Sequence, residues 1–390
     1  MVILFLMLKL SLLVFSSLWG SKMISKLTEV ILKNLNIVIL FYFVIVIVGL
    51  YIVNKLPIDA IPDLGENQQI VIVSWEGKDP KTIEQQISYP LTSKLLGIPN
   101  LKAVRSSSSY GYSIIYVIFK DNVDFYWART RIIEKLQQIL PTLPEGAKVE
   151  IGPDATGLGQ VFWYYIESSS LDLSELRTLQ DWYIKFQLTS VDGVSEVASV
   201  GGFVRTYQVT LDPYKLVAYN ITVDEIVESL RKANYEIGAG EIEMSGREVI
   251  IRSEGFIKNK KDIEDNVVVY RDGVPIMIKD IGVVEIANEP RRGVLIDRNG
   301  NEVVGGVVII RYGTNPREVI ERVKKKIDEI NSTLPSDTKI VPYYDRTEII
   351  EKVEQSLVKT LIEESLIVIA VIFIFLLHIR SSLIVIVSLP

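Results

Sequence analysis

Long apolar stretches interrupt the mixed pattern of hydrophobic and polar positions near both ends of the chain. Residues 35–53 carry no charge and come close to the ~20 residues that a helix needs to cross a bilayer. A second stretch, residues 357–379, is apolar except near its start. The pattern predicts two membrane-crossing helices, the second belonging to a longer helix over residues 345–379. Residues 383–390 begin a further apolar run, which predicts the start of a third.

The first residues of the chain are also apolar, and two interpretations of them stay open. Residues 1–22 contain Lys9 inside the apolar run, which is unusual for a signal peptide. They are either an extra apolar segment or the product of a misassigned start, with Met23 as the true first residue. Residues 23–34 then predict a short amphipathic helix on the inner face of the membrane.

Positive residues flank the two predicted crossings and suggest their orientation. Lys22, Lys26 and Lys33 precede the first crossing, and His378 and Arg380 follow the second. Because positive flanks favour the cytoplasmic side, both flanks are expected inside. The long segment between the two helices is then expected outside.

Residues 54–151 alternate between short β-branched runs and amphipathic runs. NQQIVIVSWEG is typical of a strand. DPKTIEQQISYPLTSKLLG is typical of a helix that begins after an Asp N-cap, with Pro in its first turn. LKAVRSSSS and YSIIYVIFK predict two strands, DFYWARTRIIEKLQQIL a second helix, and GAKVEIG a last strand. The order β-α-β-β-α-β predicts a ferredoxin-like fold.

A second set of elements repeats this order around an insertion. Residues 152–202 predict strand, helix and strand, and residues 291–344 predict strand, helix and strand again. IIEKLQQILPTLPEGAKVEIGPDAT matches VIERVKKKIDEINSTLPSDTKIVPYYDRT in pattern, which indicates an internal duplication. Residues 203–290 predict a small α+β domain inserted into the second unit, with a helix capped by Thr222 or Asp224 and an Asp-Gly turn.

Composition excludes several classes of function. The chain of 390 residues is 48% hydrophobic and 23% charged, which fits membrane helices joined to a water-exposed region. It contains no cysteine and one histidine, so disulfides, thiolate sites and multi-histidine zinc sites are excluded. The one histidine, His378, is expected on the inner side next to Arg380, which argues against a Ser-His-Asp triad. The net charge of -6 and the lack of a basic patch argue against nucleic acid. We find no enzyme signature and expect no cofactor.

Several long motifs together resemble one transporter family. They are KLPIDAIPDL, WEGKDPKTIEQQISYPLTSKL, DFYWARTRIIEKL, GPDATGLG, ASVGGFVRTYQVTLDP and LLHIRSSLIVIVSLP. In this order they resemble the inner-membrane permease of the heavy-metal efflux branch of the resistance-nodulation-division (RND) superfamily. The resemblance extends from Met23 to Pro390.

The resemblance implies a fold, a location and partners. Such permeases are longer chains that form homotrimers in the inner membrane, meet a periplasmic adaptor and an outer-membrane channel, and exchange protons for substrate. Residues 54–151 then correspond to a first porter subdomain, and residues 152–202 with 291–344 to a second. Residues 203–290 correspond to a docking subdomain. All three are expected in the periplasm, between transmembrane helices in contact with lipid.

The same resemblance implies that the chain is the N-terminal part of a permease. The acids of the proton relay lie in later helices of the family and are absent here. We therefore expect that the chain does not transport alone.

Prolines and acids follow the first predicted crossing. These residues are Pro57, Asp59, Pro62 and Asp63. Acids at the point where ions enter the pump would be one role. The interpretation that we favour is that the prolines end the helix and the acids hydrate the chain at the interface.

Two glycine-rich motifs belong to the resemblance. GPDATGLG lacks the Lys-Ser/Thr of a phosphate-binding loop and predicts a tight connection between the two porter units. Its carboxylate, Asp154, is the one candidate metal ligand, because hard and borderline cations prefer oxygen. The glycine-motif residues are Gly152, Pro153, Asp154, Gly157, Gly201 and Gly202.

Trp127, Arg129 and Arg131 lie on one predicted helix, where packing and a salt bridge are favoured over a substrate role. Glu363 and Glu364 lie near the start of the second crossing, so we expect them at the membrane interface rather than in a proton path.

The cargo and two alternative functions stay open. Met244 and Met277, the two methionines between the predicted crossings, are far apart, whereas Cu(I) or Ag(I) favours thioether clusters. This favours a divalent ion such as zinc, cobalt, nickel or cadmium. The alternatives are a stand-alone two-helix envelope protein that assembles or senses something, and a drug-exporting member of the superfamily.

Overall fold

The computed structural model describes residues 33–53, 59, 61, 65–236, 238–244, 246–252, 255–291 and 293–376. The predictions for residues 1–22 and 383–390, and for most of 23–34, lie outside these. So do five motif residues: Pro57, Pro62, Asp63, His378 and Arg380. Contacts divide the chain into two parts, Met1–Ile58 and Asp59–Pro390, which are described separately.

Helix α1 (Leu35–Val53) lies in the first part and contains no charged residue. It exposes large apolar side chains along its length, among them Phe41, Val46 and Tyr51. Among the described residues, no helix combines the length and the hydropathy that a membrane span requires.

The first αβ unit of the second part has six elements in the predicted order. They are β1 (Gln68–Ser74), the helical run α2 (Pro80–Ile83, Glu84–Ser88 and Tyr89–Leu95), β2 (Leu101–Ser109), β3 (Tyr112–Phe119), α3 (Phe125–Ile139) and β4 (Lys148–Ile151). All strand pairs are antiparallel, in the order β2-β3-β1-β4. This is the split βαβ arrangement that the sequence predicts.

The core of this unit follows from the two periodicities in the sequence. Alternation along β1 places Val71 and Val73 beneath the helices, both fully buried. Asp79 and Asp124 cap the two helices, and the Asp124 carboxylate accepts a hydrogen bond from the Trp127 N–H at 2.7 Å. Helix α2 contributes a buried side chain at every fourth position: Ile83, Ile87, Leu91 and Leu95.

The second αβ unit repeats this arrangement. Its elements are β5 (Gln160–Ser168), the helical run α4 (Leu173–Leu179, Gln180–Ile184 and Lys185–Thr189), β6 (Val194–Val200), β14 (Glu302–Ile310), α9 (Pro316–Asn331) and β15 (Thr338–Asp345). The sheet order is β6-β14-β5-β15, with the short strand β13 (Leu295–Ile296) also paired to β14. Each strand therefore has its counterpart in the order β2-β3-β1-β4, which supports the duplication.

One π-helical turn occurs in the first helix of each αβ unit, at Glu84–Ser88 and at Gln180–Ile184. In α2 this turn ends two residues before Pro90, which has no N–H to donate. The Tyr89 N–H instead donates to the Glu84 carbonyl, five residues back. In α4 no proline is present, and the turn begins at the buried Gln180.

Gln180 joins helix α4 to the sheet through a polar contact inside the core. The Tyr164 hydroxyl donates to Gln180 Oε1 at 3.0 Å, and Gln180 Nε2 donates to Ser199 Oγ at 3.3 Å. Burial raises the pKa of Tyr164 well above its ordinary value, so the hydroxyl stays protonated. Gly306 leaves room for the pair, because a Cβ there would lie 2.5 Å from the Tyr164 hydroxyl oxygen.

The first αβ unit has a smaller contact of the same kind. Ser88 Oγ in α2 lies 2.7 Å from the hydroxyl oxygens of Ser108 in β2 and Ser113 in β3. The duplicated fold thus contains a helix-to-sheet polar contact at a similar place in both copies.

The insertion lies between β6 and β14. Its elements are β7 (Arg205–Leu211), α5 (Pro213–Tyr219), α6 (Val223–Ala233), β8 (Gly238–Met244), β9 (Arg247–Arg252), α7 (Lys260–Glu264), β10 (Val267–Arg271), β11 (Val274–Met277), α8 (Ile278–Ile281) and β12 (Gly282–Asn288). Strands β7 and β12 pair along their whole length, so the insertion leaves and re-enters by adjacent strands. It buries a small core of its own, which includes Ile226, Ile278 and Ile281.

The insertion also holds most of what the sequence patterns missed. Helix α5 and strand β8 are too short or too polar to give a clear periodicity, and β13 has only two residues. Thr222, not Asp224, caps α6, in a capping box with Glu225. The Asp-Gly turn lies where the sequence predicts it, with positive φ at both residues.

The last element, helix α10 (Arg346–Leu376), is a single 31-residue helix. Its last two turns and most of its C-terminal half are apolar, whereas its first turns carry acids and bases. The salt bridge between Arg317 of α9 and Glu354 of α10, at 3.2 Å, holds its polar half against the second αβ unit.

We predict that Gln180→Ala destabilises the chain by about 2–4 kcal/mol, since it opens a cavity and leaves the buried Tyr164 hydroxyl without an acceptor. Urea unfolding followed by tryptophan fluorescence measures the change. Gln187→Ala, in the same helix but half-buried, is the matched control and should change stability by no more than about 0.5 kcal/mol. Equal effects of the two variants would contradict the assignment.

Candidate functional site at the junction of the two αβ units

Asp154 lies in the connecting segment at the point where it meets both αβ units. Its carboxylate accepts a short hydrogen bond from Ser195 Oγ in β6. The Tyr126 hydroxyl in α3 donates to the other carboxylate oxygen at 3.5 Å. Arg311 Nε lies 3.7 Å from the same oxygen, and the Asp154 carbonyl accepts from the Tyr312 N–H at 2.8 Å. One residue therefore joins the first unit to two places in the second.

The surroundings of Asp154 favour a structural role over metal ligation. Burial, and after it the charge of Asp154, raises the pKa of Tyr126, so the phenol stays a hydrogen-bond donor. The carboxylate is 25% exposed and has hydroxyl donors and a guanidinium around it. A metal ion there would have to displace those donors and lie beside the positive charge of Arg311.

Aromatic packing reinforces the same junction. The rings of Phe125 and Tyr312 stack with their centroids 4.4 Å apart and an interplanar angle of 15°. Tyr126 packs edge-on to Tyr312 at 6.5 Å, and its hydroxyl lies 3.4 Å from the Tyr312 carbonyl. The start of α3 is thereby packed against the loop that follows β14.

Only some glycines of the GPDATGLG motif lie so close to a neighbouring strand that a side chain would not fit. The Gly152 N–H donates to the carbonyl of Ile70, a residue of β1, at 2.8 Å. A Cβ at Gly159 would lie 3.1 Å from the Ile310 carbonyl oxygen, whereas one at Gly157 would meet nothing within 4 Å. The segment that contains Gly152, Pro153 and Asp154 is therefore held by both sheets.

Gly201 and Gly202 are needed where the chain leaves β6 for the insertion. Their φ angles are 80° and 67°, in the region that disfavours side chains. A Cβ at Gly201 would lie 2.4 Å from the Val303 carbonyl oxygen, and one at Gly202 would lie 2.6 Å from the Leu173 carbonyl oxygen. Both glycines therefore serve the turn, and the Gly201 carbonyl accepts from Arg177 Nη1 at 2.9 Å.

Arg129 and Arg131 of helix α3 lie in packing contacts. Arg131 forms a 2.7 Å salt bridge with Glu134 and lies over the Trp127 ring, 5.7 Å from its centroid. Arg129 Nη1 donates to the buried Gln69 of β1 at 3.4 Å.

A buried arginine that the sequence analysis did not single out lies at the start of α10. Arg346 is 3% exposed, and its Nη2 lies 2.9 Å from the Asp59 carboxylate. It also donates to the carbonyls of Leu158 at 2.7 Å and Ile61 at 3.0 Å. Asp59 thus forms an ion pair with a buried arginine. From the sequence we expected its carboxylate to hydrate the chain at the membrane interface, with a role in ion entry as the alternative. No local pattern relates residues so far apart in sequence.

No group of three or more His, Asp or Glu side chains among the described residues could hold a metal ion. Met244 and Met277 lie in different hairpins of the insertion, in β8 and β11. Glu363 is exposed and lies 3.9 Å from Lys359, one turn earlier in α10.

The whole arrangement matches known proteins closely. The family model for the AcrB/AcrD/AcrF family matches residues 27–390. The chain belongs to this family. It is 42% identical over 345 residues to the cation efflux system protein CusA of Escherichia coli (strain K12), which covers 88% of this chain and 33% of that protein.

Other relatives agree. Identity to the cobalt-zinc-cadmium resistance protein CzcA of Cupriavidus metallidurans is 38% over 357 residues, which cover 89% of this chain and 34% of the relative. A crystal structure of a heavy metal efflux pump superposes with a TM-score of 0.85 at 31% identity, covering 93% of this chain and 36% of that one. The resemblance to the heavy-metal branch of the RND superfamily is confirmed. The chain spans about a third of the length of the relatives it matches.

We predict that Asp154→Ala destabilises the chain by about 1–3 kcal/mol, because Ser195 and Tyr126 lose a charged acceptor. Urea unfolding measures the change, with the exposed Asp121→Ala as control at no more than about 0.5 kcal/mol. Zinc titration by calorimetry should give the same isotherm before and after the substitution. Loss of a stoichiometric zinc site in Asp154→Ala, with unchanged stability, would instead make Asp154 a metal ligand.

Proposed function

We propose that the chain is the N-terminal part of a proton-driven metal cation efflux permease. The observation that carries this proposal is the superposition of both αβ units and the insertion on a heavy metal efflux pump, with a TM-score of 0.85 over 93% of the chain. Porter units of this kind form the water-exposed route of the family. Because the chain spans about a third of its relatives, it is not expected to transport alone.

We propose that α1 and the apolar half of α10 cross the inner membrane, with residues 59–345 in the periplasm. Helix α1 has 19 uncharged residues, and its exposed Phe41, Val46 and Tyr51 need an apolar environment. The positive flanks of both helices support this orientation.

The substrate class that we propose is a divalent heavy-metal cation. CzcA is named for resistance to cobalt, zinc and cadmium, and a further relative of Cupriavidus metallidurans, CnrA, for resistance to nickel and cobalt. A drug-exporting role has less support, because these relatives are cation or metal resistance proteins. A stand-alone sensor or assembly protein is not favoured, since the likeness to efflux proteins extends over most of the chain.

The assembly that we propose follows the family. The complete permease would form a homotrimer, with residues 203–290 as the docking subdomain that faces a periplasmic adaptor and an outer-membrane channel. The separate core of the insertion and its paired strands β7 and β12 support its treatment as one subdomain. Residues 54–151 and 152–202 with 291–344 would be the two porter subdomains.

We predict that deletion of the complete gene lowers the inhibitory concentration of zinc, cobalt, nickel or cadmium and leaves drug tolerance unchanged. Growth on a panel of metals and drugs measures this. The complete gene should restore tolerance, and a gene truncated after Pro390 is the matched control that should not.

Two results would contradict the proposal. Loss of tolerance to drugs alone would make the protein a drug exporter. Restoration of metal tolerance by residues 1–390 would show that these residues are enough for transport and that the chain is not one part of a larger permease.

A further inference from the structure

Arg346 is a charged side chain that is almost completely buried. Only 3% of it is exposed, and its Nε has no hydrogen-bond partner among the described residues. The adjacent Thr347 hydroxyl is likewise buried and unpaired there. A guanidinium at such a position needs a nearby carboxylate, because an uncompensated buried charge is strongly destabilising.

The carboxylate comes from a distant part of the chain. Asp59 Oδ2 lies 2.9 Å from Arg346 Nη2, and Asp59 Oδ1 accepts the Ile61 N–H at 3.2 Å. Arg346 Nη2 also donates to the Ile61 carbonyl at 3.0 Å. Asp59 and Ile61 therefore both contact the first residue of α10.

The same guanidinium also reaches the connecting segment between the αβ units. Its Nη1 donates to the Leu158 carbonyl at 2.7 Å, inside the short 3₁₀ turn Gly157–Gly159. Four residues earlier, Asp154 is held by Tyr126 of the first unit and by Ser195 of the second. The connecting segment is therefore fixed at both ends, by the junction at Asp154 and by Arg346.

The planar fork of arginine suits this task. It offers several donors in fixed directions, so two nitrogens can serve three acceptors on two segments. Lysine would keep the charge but has a single nitrogen on a flexible chain. Among the described residues, Asp59 forms no hydrogen bond with Leu158, whereas Arg346 contacts both. Any effect of Asp59 on the Gly157–Gly159 turn therefore passes through Arg346.

We propose that Arg346 is a positioning residue that clamps Asp59, Ile61 and the Gly157–Gly159 turn to the start of α10, with Asp59 holding the clamp closed. The clamp joins Asp59, near the start of the αβ region, to Arg346, at its end. Through Leu158 it also connects both to the junction at Asp154. This role is independent of which substrate the complete protein carries.

Hydrogen exchange of the full 390-residue chain, measured by mass spectrometry, tests the clamp. Asp59→Asn keeps the shape of the side chain and removes its charge. We expect amides of residues 157–160 to exchange faster by about tenfold or more, whereas those of the core strand residues 163–166 stay unchanged. Glu348→Gln, which removes an exposed carboxylate two residues after Arg346, should change neither group.

A double-variant comparison separates the clamp from a local role of Asp59. Arg346→Met should accelerate exchange at residues 157–160, and adding Asp59→Asn to it should produce no further change there. If Arg346→Met does not fold, Arg346→Lys takes its place and should give a smaller acceleration at the same amides.

Three outcomes would overturn the proposal. The first is a response to Asp59→Asn confined to residues 59–62. The second is additive acceleration at residues 157–160 in the double variant. The third is equal acceleration throughout the core strands, which would indicate global destabilisation without a specific clamp.

Discussion

A guanidinium removed from water must be neutralised where it lies, and this constraint organises the region around Arg346. Its charge fixes Asp59 beside the first turn of α10, and its remaining donors fix the Leu158 and Ile61 carbonyls. Three segments that are far apart in sequence therefore share one set of contacts. Apolar packing alone would hold them together with less directional specificity, because it has no preferred geometry of donors and acceptors.

This region connects the two αβ units, each of which has its own core. Each buries one face of an antiparallel sheet under its own two helices, and each joins its first helix to the sheet through buried polar groups. The copies differ at these groups. Serine hydroxyls suffice in the first unit, while the second uses the larger Gln180 and Tyr164 and keeps Gly306 to accommodate them.

Local patterns in the sequence were enough for the elements of both units, their order and the duplication, because strand alternation and helix periodicity are strong there. The Asp N-cap of α2, Asp79, was also identifiable from sequence. The clamp could not be predicted from sequence, because nothing near Asp59 indicates an ion-pair partner 287 positions away. Asp154 was singled out as an oxygen ligand for a metal, but its neighbours Ser195 and Arg311 come from strands and loops that only the tertiary fold brings to it.

The placement of the αβ region outside the cytoplasm is the claim on which the functional account depends most. The chain has no cysteine, so a single Ser93→Cys on the exposed face of α2 gives one labelling site. A membrane-impermeant maleimide applied to intact spheroplasts should label Ser93→Cys and should reach Ser381→Cys only after the membrane is opened. Labelling of Ser93→Cys only after lysis would place the two αβ units in the cytoplasm and contradict the account.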